Sequence, residues 1–338
     1  MSLIAAALRP RSVLIATDFS EASEKALRHS LSLARFYGSK FCLAHVVSSL
    51  GLTIAGPGAI AACEEAVSRD AVDLKDSLAR IGALKGIQYR FVIRHGQLWP
   101  ELQQIMRQES TDLLVIGTHG RRAMGKVLFG SAAEEIFRQA DCPVLILGPH
   151  SQEHPWIGAP SKHRTFLFAT DFGQASLYGL PQAIAVADHF GASLAFLNIL
   201  PAIPPHDSIL HAKSREDARR TALRRMAELA RGANLGSTPE CLMESESKRP
   251  VGECILKAAG TLRADLIIMG LHDSSRRGGI SHVNSSTAYD VACQADAAVM
   301  TVNYPSASVE IRSRSTEMAA SPLSQADSIR VRGLGLKW

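Results

Sequence analysis

The chain has 338 residues, of which 46% are hydrophobic and 20% charged, with a formal net charge of +5. The length suits two domains with ordinary apolar cores, and the mild positive charge favours an anionic ligand without calling for nucleic acid or a membrane. No apolar run approaches the ~20 residues that cross a bilayer, and the start, MSLIAAALRP, lacks the basic flank and apolar length of a secretion signal. The expectation is a cytoplasmic protein with neither a membrane nor a nucleic-acid partner.

In chain order, SVLIAT is a continuous apolar strand ending at Asp18, and Ser20 to Tyr37 reads as a helix with Ser20 as N-cap and Gly38 as its stop. KFCLAHVV is a second strand. Ile60, Cys63, Val67, Ala71, Leu74, Leu78 and Ile81 then recur at helical spacing. IQYRFVIR alternates as a strand, a short helix follows near Pro100, and DLLVIG is the next strand. A glycine-rich basic loop leads to a helix over Ser131 to Ala140 and to the strand PVLILG. Short apolar strands separated by helices imply a parallel sheet covered on both faces.

The pattern then repeats. IATDFS at 15–20 returns as FATDFG at 168–173, and a constant offset of 153 residues links Asp18 to Asp171, Gly38 to Gly191, Asp112 to Asp265, Gly117 to Gly270 and His119 to His272. Duplication of one unit explains this. The expected domains are 1–150 and 165–304, joined by a Pro-, Ser- and His-rich linker at 151–164. Residues 305–338 are rich in serine without apolar periodicity and are expected to be a disordered tail. The six cysteines, Cys42, Cys63, Cys142, Cys241, Cys254 and Cys293, form no C-x-x-C pair and read as buried small hydrophobes rather than metal ligands.

The chemistry concentrates in GTHGRRAMGKVLFGSAAEE, residues 117–135. Gly117 ends a strand, where ligands of open α/β sheets bind. A glycine there is expected to let backbone approach a ligand and to permit positive φ. Gly130 and Ser131 open the next helix, whose free N–H groups and dipole attract anions. Arg121, Arg122 and Lys126 add positive charge between. This is the chemistry of a phosphate-chain site. His119 reads as a loop imidazole lending a hydrogen bond rather than a catalytic base, and His45 as a strand residue at a sheet end. The helix KSREDARRTALRRMAELAR has acids among its arginines and reads as a solvated face. A catalytic residue set and a metal site are not expected.

Gly117, Gly120, Gly130 and Ser131 fit G-x2-G-x9-G-[ST], the nucleotide signature of ATP-binding universal stress proteins, and ATDFSEASEKAL and ADCPVLIL also resemble that family. The resemblance spans residues 12–148 and, more weakly, 165–303, as in tandem members. It implies two doubly wound, Rossmann-like domains of the adenine nucleotide alpha hydrolase type, each with a five-stranded parallel sheet of order 3-2-1-4-5. It further implies that Ala16, Thr17, Asp18 and Val46 border adenine and ribose. Ile116, Gly117, His119, Gly120, Gly130, Ser131, Ala132 and Ala133 match positions around ribose and phosphates. The implied ligand is ATP, with or without Mg. The implied assembly is an intramolecular pseudo-dimer in which Pro143 to Gly148 meets Ala298 to Asn303. A homodimer is also compatible with the sequence.

The second unit departs from the signature. Asp273 stands for Gly120, and Ser285-Ser286 stand for Gly130-Ser131 after a loop two residues longer. An acid beside phosphates is electrostatically unfavourable. The function expected is a nucleotide-dependent stress sensor or signalling module without rapid catalysis. Two alternatives are a slow ATPase, which lacks a Walker A run to support it, and a structural, partner-binding stress protein.

Overall fold

The computed structural model describes residues 9–48, 57–118, 121–123, 126–128, 130–151, 164–200, 208–232, 240–245, 249–271, 287–303 and 331–333. In the first half, the apolar runs become strands β1 (Ser12–Ala16), β2 (Lys40–Ser48), β3 (Tyr89–Gly96), β4 (Leu113–Gly117) and β7 (Val144–Leu147). Between them lie helices α1 (Glu21–Tyr37), α2 (Pro57–Arg80), α3 (Leu98–Gln108) and α4 (Ser131–Gln139). The second half repeats the plan with β8 (Thr165–Ala169), α5 (Gln174–Phe190), β9 (Ser193–Leu200), α6 (Ser208–Gly232), β10 (Glu240–Ser245), α7 (Val251–Leu262), β11 (Leu266–Leu271), α8 (Thr287–Gln294) and β12 (Ala298–Asn303).

The strands form one sheet in the order β13-β10-β9-β8-β11-β12-β7-β4-β1-β2-β3, where β13 is Val331–Gly333. Neighbours within each half are parallel. The halves meet at one antiparallel seam, with Val144 opposite Thr301, Leu145 opposite Met300 and Ile146 opposite Val299. The two repeats thus pair within one chain, through the strands expected to join them. On one face, Phe36 stacks on Phe190 at 4.8 Å and Tyr37 on His189 at 4.6 Å. On the other, Phe137 meets Tyr289 edge-on at 6.2 Å, and Asn303 Nδ2 donates to the Ala140 carbonyl.

Both faces are covered, as continuous apolar strands require. One core layer gathers Leu27 and Leu31 of α1, Leu78 of α2, Ile184 of α5 and Met226 of α6. The opposite layer gathers Leu102 of α3, Ile136 of α4, Ile255 of α7 and Tyr289 of α8. Gly38 and Gly191 close α1 and α5 in the left-handed conformation, with φ of 67° and 59°, where glycine avoids the Cβ penalty.

Two expectations change. The span between Gly117 and Gly130 is more than a loop, because β5 (Arg121–Ala123) and β6 (Lys126–Leu128) pair as a short antiparallel hairpin. The 305–338 tail, expected to be disordered throughout, contributes β13, which runs parallel to β10 with Val331 opposite Cys241. An exposed sheet edge with unpaired backbone groups recruits such a segment even when it carries no apolar period. The rest of the tail lies outside the described residues.

Candidate nucleotide site

Each half begins with the same turn. The Phe19 and Phe172 N–H groups donate to the Thr17 and Thr170 hydroxyls, both at 3.0 Å. Both phenylalanines sit at positive φ, 59° and 60°, a conformation uncommon for a bulky residue. Asp18 Oδ1 accepts from the Ser20 N–H at 3.1 Å and from its hydroxyl, while Ser20 caps α1 by accepting from the Ser23 N–H at 3.4 Å. This network holds the β1–α1 corner at the C-terminal end of the sheet.

Opposite that corner stands the start of α4. Its N-cap, Gly130, offers no side chain, so no side chain caps the first turn. The N–H groups of Ser131, Ala132 and Ala133 have no intrahelical carbonyl partner. They open on a cavity of about 340 Å³ lined by Ala16, Thr17, Asp18, Ser23, Ala44, His45, Val46, Leu98, Leu102, Ile116, Gly117, Gly130, Ser131, Ala132, Ala133 and Ile136. Apolar walls from β1, β2, β4 and α3 suit a planar base, and the uncapped helix start suits an anion.

Of the residues singled out in the sequence, Ala16, Thr17, Asp18, Val46, Ile116, Gly117, Gly130, Ser131, Ala132 and Ala133 therefore share one cavity. His119 and Gly120 lie outside the described residues, and Arg121 and Arg122 are described only as backbone of β5. His45, expected only as a strand residue at a sheet end, also lines the cavity, and Ser23, Ala44, Leu98, Leu102 and Ile136 complete it without having been singled out. His45 was the most legible of these, since the repeat offset pairs it with Asn198. His45 Nδ1 lies 2.7 Å from the Thr17 carbonyl, and Asn198 Nδ2 donates to the Thr170 carbonyl at 2.8 Å. A carbonyl only accepts, so Nδ1 carries a proton.

The glycines behave differently from the expectation. Gly117 is not at positive φ. A Cβ on Gly117 would stand 2.3 Å from the Ala22 carbonyl oxygen, so this glycine serves the packing of α1 against β4. Gly130 has φ −64°, and a Cβ there would meet no described residue within 4 Å. No turn strain, and no contact with the described residues, requires glycine at Gly130.

Among the described residues, no group of three or more His, Cys, Asp or Glu could hold a metal ion; His154 and His163 of the linker lie outside them. Burial pushes the Cys42 and Cys142 thiols up to about 12, so neither is a nucleophile near neutral pH. No described helix is long and apolar enough to cross a membrane.

Residues 10–148 and 162–303 each match the universal stress protein family. The chain belongs to that family. A universal stress protein of Methanocaldococcus jannaschii is 23% identical over 144 residues, covering 42% of this chain and 85% of that protein. One of Mycolicibacterium smegmatis is 24% identical over 192 residues, covering 55% and 63%. Among solved structures, a universal stress protein from Archaeoglobus fulgidus covers 87% of this chain and 98% of its own, with 20% identity and a TM-score of 0.63. That likeness establishes the shared fold.

In this tandem universal stress protein, the counterparts of Ala16 and Thr17 in the second half are more buried than the first-half lining. Leu197 stands where the first half has Ala44, and Met269 where it has Ile116. Leu197 is fully buried, Met269 is 7% exposed, and Ala169 and Thr170 are 8% and 5% exposed. Their counterparts Ala16 and Thr17 are only half-buried. Gly270 is kept, and it has a packing role of its own, since a Cβ there would stand 2.2 Å from the Ala175 carbonyl oxygen.

Proposed function

We propose that the first half binds ATP and that the protein acts in stress response as a nucleotide-dependent sensor or signalling module without rapid turnover. The observation that carries this reading is Gly130. Glycine there answers to no backbone strain and to no neighbour among the described residues, yet it opens an uncapped helix beside the cavity. A phosphate chain lying against the N–H groups of residues 131–133 accounts for a missing side chain at that point. Adenine would lie between Val46 and Ile116, with ribose near Thr17 and Asp18, and Arg121 and Arg122 would supply charge from the hairpin.

Binding is the activity these groups favour. The described lining holds no nucleophile activated by an adjacent base, and His45 Nδ1 is engaged by the Thr17 carbonyl. Mass analysis of nucleotide released by denaturing the purified protein, followed by calorimetry on stripped protein, tests the reading. One adenine nucleotide per chain is expected. A protein that releases none and takes up none when titrated with ATP would refute it, and two equal sites would refute its restriction to the first half. Hydrolysis at enzyme-like rates of ~10 per second would move the reading to an ATPase.

A further inference from the structure

The first half ends the sheet on β3, which pairs with β2 on one side and with no strand on the other among the described residues. The opposite end differs, because there β13 lies on β10. The residues of β3, Tyr89–Gly96, pair with β2 in one unbroken register. The strand therefore has no bulge against β2, and it carries neither proline nor lysine, devices that commonly protect a sheet edge. Tyr89 is 41% and Ile93 37% exposed.

Alternation sorts the side chains of β3 by face. Tyr89, Phe91 and Ile93 lie on the α2 face, where Phe91 packs against the core layer that holds Leu78 and the Tyr89 ring meets Phe91 edge-on at 5.6 Å. Arg90, Val92 and Arg94 lie on the α3 face, where Val92 packs against the layer that holds Leu102. Both arginines are engaged within their own chain. Arg90 meets Glu109 at 2.6 Å, and Arg94 donates to the Gln108 side chain at 3.1 Å. The row of Tyr89, Phe91 and Ile93 carries no charge.

The backbone and the charges together select one way to extend this edge. The Phe41 N–H donates to the Gln88 carbonyl at 2.8 Å, and Phe41 stands opposite Tyr89. In a parallel ladder this aims the backbone groups of Gln88, Arg90, Val92 and Arg94 at β2 and those of Tyr89, Phe91 and Ile93 outward. A second β3 joining antiparallel must set outward residues against outward residues, as the pairings centred on Arg90, Phe91 and Val92 all do. Centred on Arg90, the pairing opposes Arg90 to itself. Centred on Val92, it opposes Arg90 to Arg94. Like charges directly opposite each other are destabilising. Centred on Phe91, no arginine faces another, because Arg90 stands opposite Val92 and Arg94 opposite Gln88. On the other face Phe91 then meets Phe91 at the two-fold axis, and Tyr89 meets Ile93 on either side of it. Aromatic pairs and aromatic–β-branched pairs of this kind stabilise a sheet.

We propose that two copies of this chain join edge to edge through β3, antiparallel and centred on Phe91, so that one sheet runs through both. The contact is isologous and closes at a dimer. The far edge of each copy is the one on which β13 lies. The interface uses no residue of the nucleotide cavity, so it stands independently of ATP binding.

Sedimentation velocity over a concentration series tests this on the full-length chain. Wild type is expected to pass from monomer to dimer and no further. Ile93→Lys sets a charge opposite Tyr89 on both sides of the axis and should weaken the dimer by about tenfold or more, since both symmetric pairs are lost. Ile93→Pro removes an outward N–H without touching the ladder to β2 and should weaken it likewise. Melting curves near that of wild type establish that each variant is folded. Oxidative cross-linking reads the register separately, and it decides the matter if both Ile93 variants melt early. A chain carrying Tyr89→Cys together with Ile93→Cys should form a disulfide-linked dimer, whereas chains carrying either change alone should not. Only the pairing centred on Phe91 brings position 89 of one copy within disulfide reach of position 93 of the other. Wild type that stays monomeric throughout the series or grows past the dimer, a dimer that survives both folded Ile93 variants, or a doubly substituted chain that links no better than the single ones would each overturn the proposal.

Discussion

The two halves share their corners and differ in the residues at the positions that line the first half's cavity. Thr17 and Thr170 hold the same turn, Gly38 and Gly191 the same helix stop, and Gly117 and Gly270 the same close approach of helix to strand. What the second half has lost is the glycine at Gly130, where Ser285 stands, and it has gained bulk at Leu197, where the first half has Ala44. Positions with a role inside the protein have been kept in both copies. The position without one among the described residues, Gly130, is a serine in the second half. The difference separates glycines that serve folding from a glycine best explained by a ligand, which sequence spacing alone had grouped together.

The strongest way to break this division is at the shared glycines. Gly117→Ala and Gly270→Ala should each destabilise the protein by about 3 kcal/mol, the upper part of the range for overpacking, since each Cβ meets backbone rather than a yielding side chain. Chemical denaturation should give similar losses for the two. If Gly117→Ala were tolerated and only weakened ATP, that glycine would belong with the ligand after all.

Next in size, Ala44→Leu copies the second half into the first. Filling the cavity should cost binding about 1–3 kcal/mol, roughly tenfold to a hundredfold in Kd, as read by calorimetry. Unchanged affinity would mean that the base does not lie against β2. Gly130→Ala should weaken ATP by about tenfold, through loss of a charge-assisted hydrogen bond of ~1.5 kcal/mol. Because φ is −64° and the Cβ is unobstructed, the same change should leave stability equal or raise it by about 0.4–1 kcal/mol. A loss of both stability and affinity would return Gly130 to the structural class.

The smallest contrast is His29, which the repeat offset equates with Gln182. His29 is 1% exposed and its Nδ1 lies 3.0 Å from the Lys25 carbonyl. Burial lowers its pKa below 6.5, and the Lys25 and Arg28 charges add to this against the opposing hydrogen bond. A folded-state pKa below the unfolded value means that the unfolded chain binds the proton more readily. Stability therefore falls as pH drops below about 6.5. His29→Gln should flatten that part of the stability–pH curve, and a curve of unchanged slope would assign the acid sensitivity elsewhere.

Much of this was legible in the sequence because it is local or repeated. The Ser20 cap, the Gly38 stop, the helical stripe through Leu74 and Leu78 and the seam strands all follow from spacing. The role of Gly117 was not legible, since the carbonyl it makes room for belongs to α1, nearly a hundred residues earlier. The extended conformation of Gly130 was not legible either, since spacing marks a glycine without fixing its backbone angles. The replacements Leu197 and Met269 were present in the sequence, but only the fold shows that the residues they replace, Ala44 and Ile116, belong to one lining. β13 escaped notice because three residues carry no period, and an open edge rather than composition determines where they go.

The antiparallel seam also has a consequence for biosynthesis. All four residues of β7 are buried, yet their partner strand begins at Ala298, about 150 residues further on. At ribosomal rates of about 5–20 residues per second, β7 waits roughly 8–30 s for β12. During that interval the nascent first half offers an apolar, unpaired strand to whatever is near, including another nascent copy. The last strand made in the second repeat is the one that closes the first. Chains stalled before residue 298 should thus be the species that chaperones hold and that aggregates, while completed chains carry no memory of the exposed edge.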